Sequence, residues 1–284
     1  MNQTKKKNPL KRLLSMRGMG QVVTVTIGLI VLLVAFALIN PNFWSPTNRT
    51  NLLRQIAPIL IIGIAQSYVL ITGNIDLSIG SVVGMSTMVA ATLMSKGIMS
   101  PIPALLVTLL CCLLIGVLNG LLVAKFKLPP FIATLGTMTV ARGIAQLVNG
   151  NYNTDSIMKF YPEAAQTFKN VFYYGKTLGL YNGIWIAIIL WIVFNFLLSK
   201  TRTGRYIYAT GSNIDAARLS GVNVVSTTVI AYVVSAFCSF VVGIITCATV
   251  GQGTMDAGNS YEMYAVAASV IGGVSTLGGQ GILL

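Results

Sequence analysis

The stretch ALLVTLLCCLLIGVLNGLLVA, residues 104–124, contains no charge over 21 residues and stops at the basic sequence KFKLPP. A transmembrane helix needs about 20 predominantly apolar residues. The whole chain shares this character, since 55% of its 284 residues are hydrophobic and only 9% are charged. An average soluble domain is about 25% charged. We therefore expect an all-α, polytopic membrane protein.

Eight apolar runs predict eight spans, and the polar segments between them predict the loops. Residues 1–21 are expected to form a tail, and 22–284 a single transmembrane domain. Pro41, Trp44 and Pro46 favour an interfacial loop over 40–54. The chain ends as an apolar stretch resumes at 282–284, so we expect one or two further spans to be missing. The predicted spans are 22–39, 56–71, 79–94, 104–124, 131–148, 183–198, 225–248 and about 264–274.

The charges predict the orientation of these spans. There are 19 Lys and Arg against 6 Asp and Glu, and six of the basic residues lie in the first 17 positions. Because the positive-inside rule places basic segments in the cytoplasm, the N-terminus is expected there. Alternation then puts 72–81, 125–130 and 200–224 inside and the polar loop 149–182 outside. Basic residues flanking apolar runs indicate topology rather than nucleic-acid binding.

Several chemistries are excluded by composition. The chain has no histidine, so it holds no Ser-His-Asp or Cys-His pair and no imidazole proton relay. Its four cysteines lie inside apolar runs without metal-ligand spacing. No G-x-x-x-x-G-K-[ST] occurs, so the chain cannot bind ATP through a P-loop of its own. We expect a non-enzymatic chain without a metal or cofactor of its own.

Asp76, in GNIDLSIGS (73–81), is a carboxylate at a predicted span boundary. A carboxylate at the bilayer centre costs about 2.5–3.5 kcal/mol on insertion scales, so it must face protein, water or the interface. One interpretation is a broken helix whose backbone and Asp76 line a pathway, with Asn74 and Ser78 beside it. The other is a short cytoplasmic turn in which Asp76 caps the next helix. We favour the cap, which could also border the pathway.

Arg142 interrupts the fifth apolar run. It either hydrogen-bonds a polyhydroxylated or anionic solute or extends to the outer interface, and we favour the latter. Asn119 and the threonines Thr134, Thr137 and Thr139 give the fourth and fifth runs a polar, small-residue face. Such a face is typical of tight helix packing and sometimes of a solute path.

The segment 200–224, KTRTGRYIYATGSNIDAARLSGVNV, is basic and punctuated by glycines. Ser212 or Asn213 can cap a short helix over 214–220 that ends at Gly221. A short capped helix between two spans on the basic side suits docking of a soluble partner. The plainer alternative is a charged loop that only determines topology, and we favour docking.

Four motifs resemble those of the permease subunits of bacterial ribose-type sugar ABC importers. They occur in the family's order, from about residue 55 to residue 284. The motifs are GNIDLSIGS at 73–81, LPPFIATLGTM at 128–138, GRYIYATGSNIDAARLSGV at 204–222 and VIGGVSTLGGQG at 270–281.

The resemblance implies a ten-span permease of the bacterial cytoplasmic membrane that pairs with a second permease copy. An extracytoplasmic sugar-binding protein delivers the solute, and a two-lobed cytoplasmic ATPase binds ATP and Mg²⁺ and drives transport. Transport then proceeds by alternating access without chemistry on the solute.

The resemblance also implies residue roles. Segment 215–221 matches the family's coupling helix, and Asn74, Asp76, Ser78 and Thr134 match motif positions near the pathway. Asn119 and Thr137 of the polar face, together with Arg142, are the further residues expected near the pathway. The residues expected to couple to the ATPase are Arg205, Asn213, Asp215, Ala216, Ala217, Arg218 and Gly221.

Other functions remain open at this point. Related permeases carry branched-chain amino acids or a furanone signal, so the resemblance alone indicates the substrate. An ion-coupled carrier would need titratable groups at midplane, where Asp76 and Arg142 are the only candidates. An intramembrane enzyme is disfavoured because no Ser/Lys or paired-Asp constellation lies within the spans.

Overall fold

The computed structural model describes residues 19–283, and this part of the chain is built almost entirely of helices. The predicted tail, 1–21, lies outside the described residues except for its last three. A π-helical turn, Asn170–Tyr174, follows the sixth α-helix. The α-helices of the described chain are α1 Met19–Ile39, α2 Pro46–Ile71, α3 Ile79–Ser95, α4 Pro101–Ala124, α5 Pro130–Leu147, α6 Pro162–Lys169, α7 Asn182–Lys200, α8 Arg202–Ser212, α9 Ile214–Leu219, α10 Val224–Val250 and α11 Tyr261–Ile271.

A small β-hairpin is the exception to the predicted all-α class. Strand β1, Lys176–Thr177, pairs antiparallel with β2, Leu180–Tyr181. The two connecting residues, Leu178 and Gly179, both have positive φ. That backbone suits a tight two-residue hairpin. The hairpin lies in the polar segment that the sequence predicts to be outside.

Each predicted apolar run coincides with a helix, but α2 begins earlier than expected. The interfacial loop predicted over 40–54 is wrong, because the helix starts at Pro46. The Ser45 side chain accepts a hydrogen bond from the Asn48 N–H, and Pro46 occupies the first turn. A capping serine followed by proline is a strong helix start, and it extends the helix beyond the apolar run.

Helix length and composition support a membrane protein. Within the described chain, four helices are long and apolar enough to cross a bilayer: α2, α4, α7 and α10. Shorter apolar helices occur at Val23–Ile39, Ile79–Ser95 and Tyr261–Ile271. These helices are those of an integral membrane protein with an essentially all-α fold, and the four long ones are its candidate spans.

Helix α10 lies at the centre and packs most extensively against α4, α2 and α3. Small residues let α4 approach it closely. A Cβ at Gly116 would lie 2.7 Å from the Ala236 Cβ, and one at Gly120 would lie 2.5 Å from the Val229 Cα. Lipid tails are as apolar as the helix side chains, so the hydrophobic effect does little to associate helices inside a bilayer. Close van der Waals packing of this kind is therefore a main source of helix association.

Two non-helical segments interrupt this helical body. Residues 73–78 separate α2 from α3, and residues 251–260 separate α10 from α11. The C-terminal ends of the two segments lie in contact. Gly80, just after the first segment, is so close to the second that an added Cβ would collide with the Gly258 carbonyl oxygen and the Glu262 carboxylate. Helices α3 and α11 therefore begin next to each other.

Candidate functional site

The buried carboxylate of Asp76 is the centre of a hydrogen-bond network. Its Oδ1 accepts hydrogen bonds from the Ser78 N–H at 2.9 Å and the Ser78 hydroxyl at 2.6 Å. Its Oδ2 accepts one from the Ser235 hydroxyl of α10 at 2.7 Å. Only 3% of Asp76 is exposed. These hydrogen bonds thus satisfy a carboxyl group that would be costly to bury without partners in a low-dielectric interior.

The same network continues into α4 and α5. Asn119 donates from Nδ2 to the Ser78 hydroxyl at 2.9 Å, and Thr137 donates to Asn119 Oδ1 at 2.6 Å. All are buried. Of the predicted pathway residues, the structure therefore brings Asp76, Ser78, Asn119 and Thr137 together, where they join segment 73–78 to three helices.

The contacts of Asp76 bear on both interpretations of this segment, the capped turn and the broken helix. Ser78, not Asp76, precedes the first residue of α3, and its own side chain makes no cap bond. Asp76 lies three residues before α3 and accepts hydrogen bonds from Ser78, directly before that helix, and from Ser235 of α10. Because Ser235 lies more than two turns into α10, segment 73–78 packs along that helix beyond its first turns.

Two further partners of this segment were missed from sequence. Tyr232 donates its hydroxyl to the Ile75 carbonyl at 3.0 Å, and Ser235 binds Asp76. A signal was present, since Thr228, Tyr232, Ser235 and Ser239 recur at the spacing of one helical face. All four are buried. That polar stripe in an apolar run indicates a face turned towards protein.

Asn74 and Thr134 lie apart from the network. Asn74 donates to the Thr72 hydroxyl at 2.8 Å, and Thr134 donates to the Pro130 carbonyl within its own helix. Asn74 instead lines a cleft of about 590 Å³ formed by residues 72–74, 127–130 and 210–218. The three loops predicted to be cytoplasmic thus share one side of the molecule.

Arg142 binds the second non-helical segment. Its Nη1 donates to the carbonyl oxygens of Met255 at 3.0 Å and Ala257 at 2.9 Å. Its charge also interacts with those of Glu262 and Asp256. The favoured interpretation, a side chain that extends to the outer interface, misses these contacts. The guanidinium holds segment 251–260 against α5.

The predicted loop 149–182 packs on the same segment. The Thr154 N–H donates to the Gly253 carbonyl, and the Ile157 N–H donates to the Gly251 carbonyl, both at 3.0 Å. Nearby, the Lys159 ammonium lies 2.6 Å from the Asp155 carboxylate. That hydrogen bond and charge hold the pKa of Asp155 below its usual value. The two loops therefore lie on one side of the helical body.

The short capped helix predicted at 214–220 is confirmed as α9, Ile214–Leu219. Asn213 Oδ1 accepts hydrogen bonds from the N–H groups of Asp215 at 3.0 Å and Ala216 at 2.9 Å. Gly221 ends the helix with a φ of +82°. That left-handed conformation favours glycine and explains the helix stop.

One face of α9 packs against the rest of the chain, and the other is exposed. Ala217 is buried against Val222 and Val224. Leu219, by contrast, is 90% exposed. Arg218 forms an exposed ion pair with Asp215 at 3.4 Å. Arg205 is exposed on the preceding helix α8. The predicted coupling residues thus lie on or beside one exposed helix, with Ala217 as its inward anchor.

Helix α8 connects this surface to segment 73–78. A Cβ at Gly211 would collide with the Ile71 carbonyl oxygen, where α2 ends. The Gly279 N–H donates to that same carbonyl at 2.8 Å. Helix α8 therefore packs directly against the end of α2, just before the segment that carries Asp76. Within residues 19–283, no group of three or more His, Cys, Asp or Glu is placed to hold a metal ion.

Comparison with known proteins finds relatives of this chain among transport permeases. The chain is 40% identical to the ribose import permease protein of Haemophilus influenzae over 90% of its own length and 77% of that protein. It is 35% identical to the ribose import permease protein of Bacillus subtilis with the same coverage. It is also 35% identical to the galactofuranose transporter permease protein of Escherichia coli, over 97% of this chain and 80% of that one.

No solved structure matches the chain. The pattern of the family described as branched-chain amino acid transport system / permease component matches residues 48–282. That range includes both non-helical segments, α8 and α9, so the chain belongs to this family of transport permeases.

Proposed function

We propose that the chain is the membrane-spanning permease subunit of an ATP-driven importer of a monosaccharide, with ribose as the favoured cargo. The observation that carries this proposal is the 40% identity to a ribose import permease along 90% of the chain. The permease catalyses no reaction on the sugar. A separate ATPase subunit supplies ATP hydrolysis, and a binding protein supplies the loaded solute.

Coupling to the ATPase is assigned to α9 and its neighbours. The helix carries an exposed leucine and an exposed Arg218, while its other face is fastened through Ala217. ATP-driven closure of the ATPase would move α8 and α9. Because Gly211 abuts the end of α2, this motion would shift segment 73–78 and the helices it joins. We assign the pathway to the helices around the two interrupted segments.

The proposed topology has the N-terminus in the cytoplasm of a bacterial inner membrane. It counts α1, α3, α5 and α11 as spanning or half-spanning elements beside the four long helices. In support, loop 149–158 packs on 251–255, whereas 72–74, 127–130 and 210–218 share the opposite, basic cleft. The importer pairs two permeases, since the family resemblance implies a second copy.

Cysteine accessibility tests the topology. Leu178 is 86% exposed in the predicted outer hairpin, and Leu219 is 90% exposed in the predicted cytoplasmic helix. In intact cells, a membrane-impermeant maleimide should label Leu178→Cys and should label Leu219→Cys only after permeabilisation. The reverse pattern would overturn the orientation.

Reconstitution tests the function. Proteoliposomes containing the permease, its ATPase and the loaded binding protein should take up labelled ribose with ATP, even when the proton gradient is collapsed. A non-hydrolysable ATP analogue should abolish uptake. Uptake by the permease alone would contradict the proposal and favour an ion-coupled carrier.

A branched-chain amino acid importer is the second candidate, favoured by the description of the matching family. It predicts uptake of labelled leucine and competition by isoleucine in the same vesicles. The sugar proposal predicts no leucine uptake and competition by unlabelled ribose.

A further inference from the structure

A groove on the side of the predicted outer loops has no assigned role. It encloses about 480 Å³ between α2, the end of α10, the start of α11 and the π-helical turn. Sites for small molecules typically measure about 300–1,000 Å³. Its polar and aromatic lining includes Arg54, Gln55, Tyr173, Thr249, Tyr261 and Tyr264.

Arg54 is the unusual member of this groove. Its guanidinium carbon lies 3.4 Å from the ring centre of Tyr181 and 5.0 Å from that of Tyr173. Its Nε is buried and has no hydrogen-bond partner. Within residues 19–283, no ion pair or hydrogen bond reaches this side chain. The rings therefore hold a planar, charged donor whose N–H groups lack an acceptor.

Neutral polar groups and aromatic rings surround this donor. Asn51 and Gln55 are exposed one helical turn apart on α2 and line the groove beside Arg54. Tyr261 and Tyr264 stand on the first turn of α11, with ring centres 6.0 Å apart. Amide, hydroxyl and guanidinium groups suit the hydroxyls of a sugar, and an aromatic face suits its C–H face.

The charge distribution favours a neutral polyol over an anionic headgroup. Arg54 is the only cation among the lining residues of this groove. Lys169 and Lys176 lie over the rings of Tyr174 and Tyr181 and do not line it. Sites for anionic lipid usually collect several cations.

The groove also leads inwards. It extends from Arg54, near the start of α2, to Tyr261 at the start of α11, and that start abuts Gly80 of α3. We propose that this groove is an outward-facing subsite that takes a monosaccharide as it leaves the binding protein. Arg54 donates to the sugar hydroxyls, and Tyr261 and Tyr264 contact its ring. This inference rests on the proposed function.

Transport measurements with a matched control form the first part of the test. In the reconstituted importer with saturating loaded binding protein, Arg54→Gln should lower ribose uptake about tenfold, through lost charged hydrogen bonds. Arg54→Lys should also be slow, because it loses the planar stacking group. Arg49→Gln removes an exposed cation from the same helix outside the groove and should match the wild type. Co-purification with the ATPase reports whether each variant folds.

Direct protection forms the second part. Gln55→Cys should react with a maleimide, and millimolar ribose should slow this labelling at least twofold. Arg49→Cys should be labelled at the same rate with and without ribose. The parent chain should carry Cys111→Ser, because the remaining native cysteines are buried.

The outcomes separate the inference from the proposed function. If the wild type imports no monosaccharide, the proposed function fails. If the wild type imports ribose but Arg54→Gln is as fast, or ribose gives no protection, the subsite is wrong and the function stands. If the Arg54→Gln defect appears only in vesicles with anionic lipid, the groove binds a headgroup and the subsite is likewise wrong.

Discussion

Segment 73–78 and helix α9 differ in whether their polar side chains are buried or exposed. In segment 73–78, the Asp76 carboxylate is buried and accepts hydrogen bonds from Ser78 and Ser235. In α9, Arg218 and Leu219 face outwards, and the Arg218 partner is an exposed Asp215. In segment 73–78, the carboxylate finds its hydrogen-bond partners within the chain. In α9, an apolar and a basic side chain are exposed on the surface. Substitutions in the first region should therefore destabilise the fold, whereas those in the second should disturb assembly.

The largest expected effect is on assembly. Arg218→Glu reverses a charge on the exposed face of α9 and should abolish co-purification of the ATPase. The fold should remain intact, because exposed ion pairs contribute only about 0–1 kcal/mol. Pull-down from solubilised membranes measures the first effect, and membrane yield measures the second.

Lys159→Glu is the matched control for this charge reversal. Lys159 is also paired and exposed, but it lies in the predicted outer loop. This variant should retain the ATPase. Loss of the ATPase from both variants, or from neither, would contradict the assignment of α9 as the coupling helix.

The next effect is on stability at Asp76. Asp76→Ala removes the acceptor of two hydroxyls and one N–H, so buried donors lose their partners. We expect a loss of about 3 kcal/mol in the free energy of unfolding. Denaturation with SDS in mixed micelles measures it. Asp76→Asn keeps one acceptor oxygen and should lose less, and equal losses would argue against the hydrogen-bond explanation.

Gly211 tests the contact between the two regions. Gly211→Ala places a Cβ against the Ile71 carbonyl oxygen and should cost about 2 kcal/mol through overpacking. Uptake should fall even when the ATPase remains bound, because the contact from α8 to segment 73–78 is distorted. Gly136→Ala on α5 is the control, since a Cβ there meets nothing within 4 Å. Normal uptake by Gly211→Ala would exclude this route of coupling.

The smallest effect is expected at Arg142. Arg142→Gln loses the hydrogen bonds to Met255 and Ala257 and should loosen segment 251–260 by about 1–2 kcal/mol. Hydrogen exchange of peptides covering 251–260 should rise, while exchange in 73–78 stays unchanged. Equal increases in both segments would show that the two interruptions are not independently held.

Sequence reasoning worked best where structure is local. The pair Ser212 and Asn213 predicted the start of α9, where Asn213 is the cap, and Gly221 predicted its end, because a cap side chain and a left-handed glycine act within a few residues. The apolar runs predicted the helices for the same reason. It worked less well at α2, where Ser45 and Pro46 start the helix outside the apolar run.

Reasoning from sequence could not pair distant polar groups. The Asp76 motif drew attention, but its partner Ser235 lies 159 residues away. Arg142 stood out as a charge in an apolar run, yet its acceptors are backbone carbonyls, which have no sequence signal. Arg54 gave no signal at all, because its position depends on where Tyr173 and Tyr181 lie.

By itself, the sequence determined that this chain is a helical membrane protein, where its apolar helices lie and which loop carries a short capped helix. Apolar length, capping and glycine stops are properties of neighbouring residues, so they can be deduced from order alone. Only the tertiary structure decided that segment 73–78 is tied to α10, that Arg142 holds segment 251–260 and that Arg54 stacks on two tyrosines. Those contacts join residues far apart in the chain, and only the packing of helices and loops in the fold brings them within hydrogen-bonding or stacking distance.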